Sequence, residues 1–170
     1  MDLTASARAP TSPKLAQQVA CAEIDQICML AHDHSVGLEA DAVLALAWEL
    51  KASFDAFESS EPDRAIAIAA AMEQLAAGST DISCRAVAAW THGMADQLEG
   101  DLPASLEHLE QAETAFIERG QPSLAAETLI SKLFSLAMLG RYDEALRAGL
   151  RARAIFLGHG DSLAAGKVEQ

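Results

Sequence analysis

Long stretches rich in Ala and Leu alternate along the chain with short polar breaks that carry Gly, Pro, Ser and Asp. The stretches read as helices, and the breaks as their stop and start signals. The pattern predicts helices over 14–32, 38–57, 63–77, 82–99, 102–118, 122–139 and 142–157. His32-Asp33-His34-Ser35-Val36-Gly37 separates the first two, and Ser59-Ser60-Glu61-Pro62 opens the third with a capping Ser and an early Pro. Gly78-Ser79-Thr80-Asp81 stops that helix and caps the next. Gly100 can take the left-handed conformation that ends a helix, Asp101 can cap the one that follows, and Pro122 and Gly140 repeat the punctuation.

The chain also matches itself. Gly100-Asp101-Leu102-Pro103-Ala104-Ser105-Leu106 aligns with Gly140-Arg141-Tyr142-Asp143-Glu144-Ala145-Leu146, a shift of 40 residues (140 − 100). At that shift Ala112 falls on Ala152, Phe116 on Phe156 and Gly120 on Gly160. Such a period marks stacked helical units, each using its neighbour as a core. The expected organisation is a loose tail over 1–13 and a repeat domain over 14–170. Within it, helix pairs at about 38–77, 82–119 and 122–158 follow one lone helix. Asp161 caps a further, incomplete helix over 162–170, so no polar closing unit is visible. The expectation is a piece of a longer solenoid, or an open end that meets another chain.

Composition agrees. Of the 170 residues, 51% are hydrophobic and only 5% aromatic, which suits closely packed helices better than sheets. The formal charge of −13 argues against nucleic acid and against anionic membranes. The N-terminus lacks the apolar core of a secretory signal, and no apolar run approaches a membrane span. A cytoplasmic protein is expected. Cys21, Cys28 and Cys84 are odd in number and lack CxxC spacing, so they read as small buried hydrophobes.

Leu139-Gly140-Arg141-Tyr142-Asp143-Glu144-Ala145-Leu146, followed by Ala152, resembles the tetratricopeptide repeat (TPR). Gly140, Tyr142, Ala145 and Ala152 occupy the places of that family's turn glycine, its aromatic and the small residues at its helix crossing. Gly100, Leu102, Ser105 and Ala112 do so one unit earlier, and Trp90 and Gly93 sit near further family positions. The long period, punctuated at Gly120 and Gly160, is similar to the longer-helix repeats of bacterial multidomain regulators. The resemblance implies an all-α, right-handed superhelix of antiparallel hairpins. It also implies a non-catalytic interaction or scaffold module, acting as the N-terminal segment of a larger regulator. In that family the first helix of each pair lines a concave groove. Carried over, the groove comprises Trp90, Thr91, Met94 and Gln97, then Glu127, Ile130, Phe134 and Met138, with Trp48 and Asp55 extending it. The expected occupant is a protein or peptide. Lys132 supplies the single ammonium near that face, so capture of an acidic peptide tail is not expected.

Residues one period apart should be neighbours in a solenoid, so Glu107 is expected to pair with Arg147 and Glu113 with Arg153. An uncapped end bearing Leu150, Leu163 and Val168 suggests a homodimer as an alternative function. A third reading is a metal-dependent enzyme built on His32-Asp33-His34. Adjacent turn residues rarely converge on one ion, and His92, His108 and His159 are dispersed in sequence. Cys84 and His92 find no third member for a nucleophile, and Gly-rich phosphate loops are absent. No catalytic, cofactor or metal residues are therefore assigned.

Overall fold

A computed structural model describes residues 13–158. Eight α-helices run in order: α1 Pro13–Cys21, α2 Ile27–Ser35, α3 Ala40–Phe57, α4 Pro62–Ala77, α5 Ile82–Glu99, α6 Leu102–Glu118, α7 Pro122–Met138 and α8 Tyr142–Gly158. No strand occurs among the described residues, and no helix there is long and apolar enough to cross a membrane. The expected helix over 162–170, with Gly160, Leu163 and Val168, lies outside the described residues, as does the expected tail over 1–13 except for Pro13, which opens α1.

The helix ends follow from local chemistry. The Asp81 and Asp101 carboxylates accept the backbone N–H of Ser83 and Ala104, at 2.6 and 3.1 Å. Each satisfies a donor that the first helical turn leaves unpaired. Gly100, Gly120 and Gly140 have φ of 85°, 67° and 72°. At each, the next residue's N–H reaches back to the carbonyl five residues earlier: Asp101 to Asp96, Gln121 to Phe116 and Arg141 to Leu136, at 2.8–2.9 Å. Three successive helices thus end in the same Schellman closure, which needs a positive φ and hence glycine.

The expected single helix over 14–32 is instead two. α1 stops at Cys21, a 3₁₀ turn covers Ile24–Gln26, and α2 follows. Arg64, far along the chain on α4, ends α1. Its Nη1 donates to the carbonyls of Val19 and Ala22 at 2.7 and 2.8 Å, taking two acceptors that a continuing helix would use. α3 begins at Ala40, two residues later than expected, after Gly37 with φ 76°.

Each helix from α3 onward packs against its neighbours in sequence, while α5 also touches α3 and α7, an α-solenoid-like arrangement. The N-terminal helices dock on the first pair, α1 on α3 and α2 on α4. Phe54, Phe116 and Phe156 are fully buried, as are Ala112 and Ala152 where helices cross. Ala145 is half-buried, and Tyr142 is 70% exposed rather than packed. The main core runs continuously from α1 to the start of α7. A separate small cluster of Ala126, Leu129, Ala152 and Phe156 holds α7 to α8.

Candidate functional site

The family-derived groove residues divide into two sets. Thr91 is 0% exposed and donates to the Val87 carbonyl at 2.9 Å, so it offers nothing to a groove. Trp90 is buried, edge-on to Phe116 with ring centroids 6.0 Å apart, and the Lys51 ammonium lies 4.5 Å from its own ring centre. Its Nε1–H donates to Ser131 Oγ at 2.9 Å. The Gln97 amide donates to the Ser131 carbonyl and to Ser135 Oγ, both at 2.9 Å, and Ser135 Oγ meets Ser105 Oγ at 2.9 Å. These bonds form a polar seam joining α5 to α7. Trp90 and Gln97 therefore serve the junction between repeats. Met94 and Ile130 are half-buried, each packed against a core cluster.

Glu127, Phe134 and Met138 are exposed. None of them lines the largely apolar cleft of about 500 Å³ between α7 and α8, which is formed by Leu133, Ala137, Ala145, Leu146, Gly149 and Leu150 with Arg153 at its edge. The repeat gives this cleft meaning. Leu106, one unit earlier, is 5% exposed, whereas its counterpart Leu146 is 64% exposed and Leu150 is also open. A position buried on α6, which packs against α5 and α7, lies open on α8. Of the extending residues, Trp48 packs against the core, and Asp55 binds the buried Lys51.

Three charge expectations are corrected. Lys132 does not face the groove: it is buried toward α6, with Nζ 3.3 Å from Glu110 and 3.2 Å from Glu113. Glu113 pairs with Arg151 at 2.6 Å rather than with Arg153, because Arg151 lies on the side of α8 that faces the α6–α7 junction. Glu107 and Arg147 form no ion pair. Glu107 lines a cleft between α5 and α6, and Arg147 lines the one holding Glu110, Glu113 and Lys132. The shift of 40 gives the repeat but not the facing of long side chains.

His32-Asp33-His34 forms the last turn of α2. His34 Nδ1 lies 2.8 Å from the Leu30 carbonyl, and Ser35 Oγ donates to the His32 carbonyl at 2.7 Å. Three consecutive helical residues point in three directions, and they do not converge. Cys84 is fully buried. Burial raises its thiol pKa above the usual range, partly offset by a hydrogen bond from Ser79, which is the opposite of an activated nucleophile.

A cluster that sequence reading left scattered is assembled by the α5–α6 hairpin. His92 and Asp96 lie one turn apart on α5, and His108 faces them from α6. Asp96 is buried, with one oxygen 2.7 Å from His108 Nδ1 and the other 3.4 Å from His92 Nδ1. The two imidazole centroids are 4.6 Å apart, and His92 Nε2 lies 3.3 Å from Glu73 on α4. The available signal was the four-residue spacing of His92 and Asp96 beside a tight Gly100-Asp101 turn, which folds α6 back along α5.

Comparison of the chain with protein-family models, with curated proteins and with solved structures finds no match.

Proposed function

We propose that the chain is a non-catalytic protein-interaction module of the tetratricopeptide-repeat kind, a right-handed superhelix whose α7/α8 edge seats the apolar face of a partner helix. The reading places it in the cytoplasm as a scaffold or sensing segment of a larger regulator. The observation that carries it is the contrast between Leu106 and Leu146. In the preceding unit this position is buried on a helix that packs against α7, which supports reading the apolar cleft on α7/α8 as a seat for another helix. Exposed apolar stripes on folded chains mark interaction sites more often than isolated surface leucines do. Leu146 and Leu150, one turn apart, suit the spacing of anchors on an amphipathic helix.

A photo-crosslinking residue at Leu146, with a second at Glu118 as control, tests this. Adducts to one partner at 146, lost on Leu150→Glu, support the reading. Adducts between copies of the chain would favour the two-fold dimer. Equal labelling at both positions would sink the assignment of this edge.

A further inference from the structure

We propose that His92, Asp96 and His108 bind a divalent first-row metal ion of the zinc type, with Glu73 orienting His92. This is independent of the α7/α8 edge. One ligand atom from each of the three residues lies within 4.8 Å of the others. Bonds of about 2.0–2.1 Å in tetrahedral geometry place donor atoms roughly 3.3 Å apart. His92 Nδ1 and Asp96 Oδ1 stand at 3.4 Å, and the closer His108–Asp96 contact needs only a small opening.

A second observation points the same way. His92 Nδ1 is buried and makes no hydrogen bond, its approach to Asp96 being poorly aligned. A buried polar atom left in this way costs free energy, and native structures show few of them. A metal ion would accept that lone pair. The other ring nitrogen, Nε2, faces the Glu73 carboxylate at 3.3 Å. Metal-binding histidines commonly donate their second N–H to a carboxylate, which fixes the tautomer and strengthens the ligand. Glu73, His92 and Asp96 thus form a line from outer carboxylate to ligand to ligand.

Charge and access fit as well. Two neutral imidazoles and one carboxylate leave a divalent ion partly uncompensated, which suits a chain of formal charge −13. A cleft of about 280 Å³ adjoins the cluster, lined by His92, His108, Ala88, Ala89, Arg85 and Gln111. It provides an entry path and room for water at a remaining coordination position. The absence of thiolate donors favours zinc, or iron(II) in a two-His-one-carboxylate set, over copper(I).

The test is titration of the chelator-stripped full chain with Zn²⁺ in competition with a chromophoric chelator, and with Co²⁺ followed by its visible absorption. One equivalent should bind saturably. His108→Gln should weaken binding by well over 10-fold, and Glu73→Gln by about 10- to 100-fold with the stoichiometry kept. Circular dichroism establishes that each variant is folded. Imidazole ¹⁵N resonances of the unmodified protein give a second readout, in which Zn²⁺ should shift His92 and His108. Absence of saturable binding, affinity unchanged by His108→Gln, or shifts confined to His32 and His34 would each overturn the assignment.

Discussion

Lys132 on α7 reaches Glu113 on α6 at 3.2 Å, and both side chains are about nine-tenths removed from solvent, at 10% and 9% exposure. Arg151 on α8 holds the other Glu113 oxygen at 2.6 Å, so one carboxylate links three successive helices. Glu113→Ala should therefore be costly, about 3 kcal/mol, because it leaves the Lys132 ammonium buried with no buried carboxylate, only the more exposed Glu110 in contact and Glu144 nearby. Arg151 is half-exposed, and Arg151→Ala should cost under about 1 kcal/mol. Urea denaturation of the two variants checks the order. Equal losses would contradict the burial argument.

Gly93 should not tolerate a methyl group. A Cβ there would lie 2.7 Å from Leu109 Cγ and 3.0 Å from the Ser105 carbonyl oxygen. The side chain could shift, but the carbonyl belongs to the facing helix backbone. Gly93→Ala gains up to about 1 kcal/mol of helix propensity. It should still destabilise the domain by about 1–3 kcal/mol through forced separation of α5 and α6. A thermal melt that rises on this substitution would refute so close a crossing.

The three thiols should separate by rate. Cys21 is exposed, Cys28 half-buried and Cys84 fully buried with a raised pKa. Alkylation followed by mass spectrometry should label Cys21 first, and Cys84 only as the domain unfolds. The Cys84 rate should climb with urea in step with the loss of helical signal.

Two glutamates should pull the pH dependence of stability in opposite directions. Burial, with repulsion from Asp55, raises the Glu58 pKa above 4.5, the neighbouring Lys51 only partly opposing it. Its folded state holds the proton more tightly. The resulting stabilisation is full below 4.5 and is lost as pH rises through the higher folded value. Glu144, held by two hydrogen bonds from Arg141, is lowered below 4.5. Its contribution is present above 4.5 and is lost as pH falls through the lower folded value. Glu58→Gln should flatten the first dependence, and Glu144→Gln the second. Denaturation midpoints between about pH 3 and 7 distinguish them.

What the sequence conveyed was mostly local. α5 and α6 fall on their expected bounds because Asp81, Gly100, Asp101 and Gly120 carry their chemistry in one or two residues. The break between α1 and α2 was hidden because its cause, Arg64, acts from 42 and 45 residues away. Lys132 was misplaced for a related reason. A family register tells which helix comes first in a pair, but not which face a long side chain chooses. The His92–Asp96–His108 cluster needed the phase of α6 against α5, which only packing sets.

The three matching glycine closures imply that this architecture can change length by cut and splice. Removing 100–139 would join Glu99 to Gly140, whose backbone already holds the left-handed conformation Gly100 had. Phe156 and Ala152 would then stand where Phe116 and Ala112 stood, while Gly149 would face Gly93 in place of Leu109 and leave a hole there. Loss of a whole unit thus keeps the helix-end punctuation of this chain, and its cost falls on the contacts the unit supplied: Leu109 against Gly93, and Ser131 and Ser135 against Trp90 and Gln97.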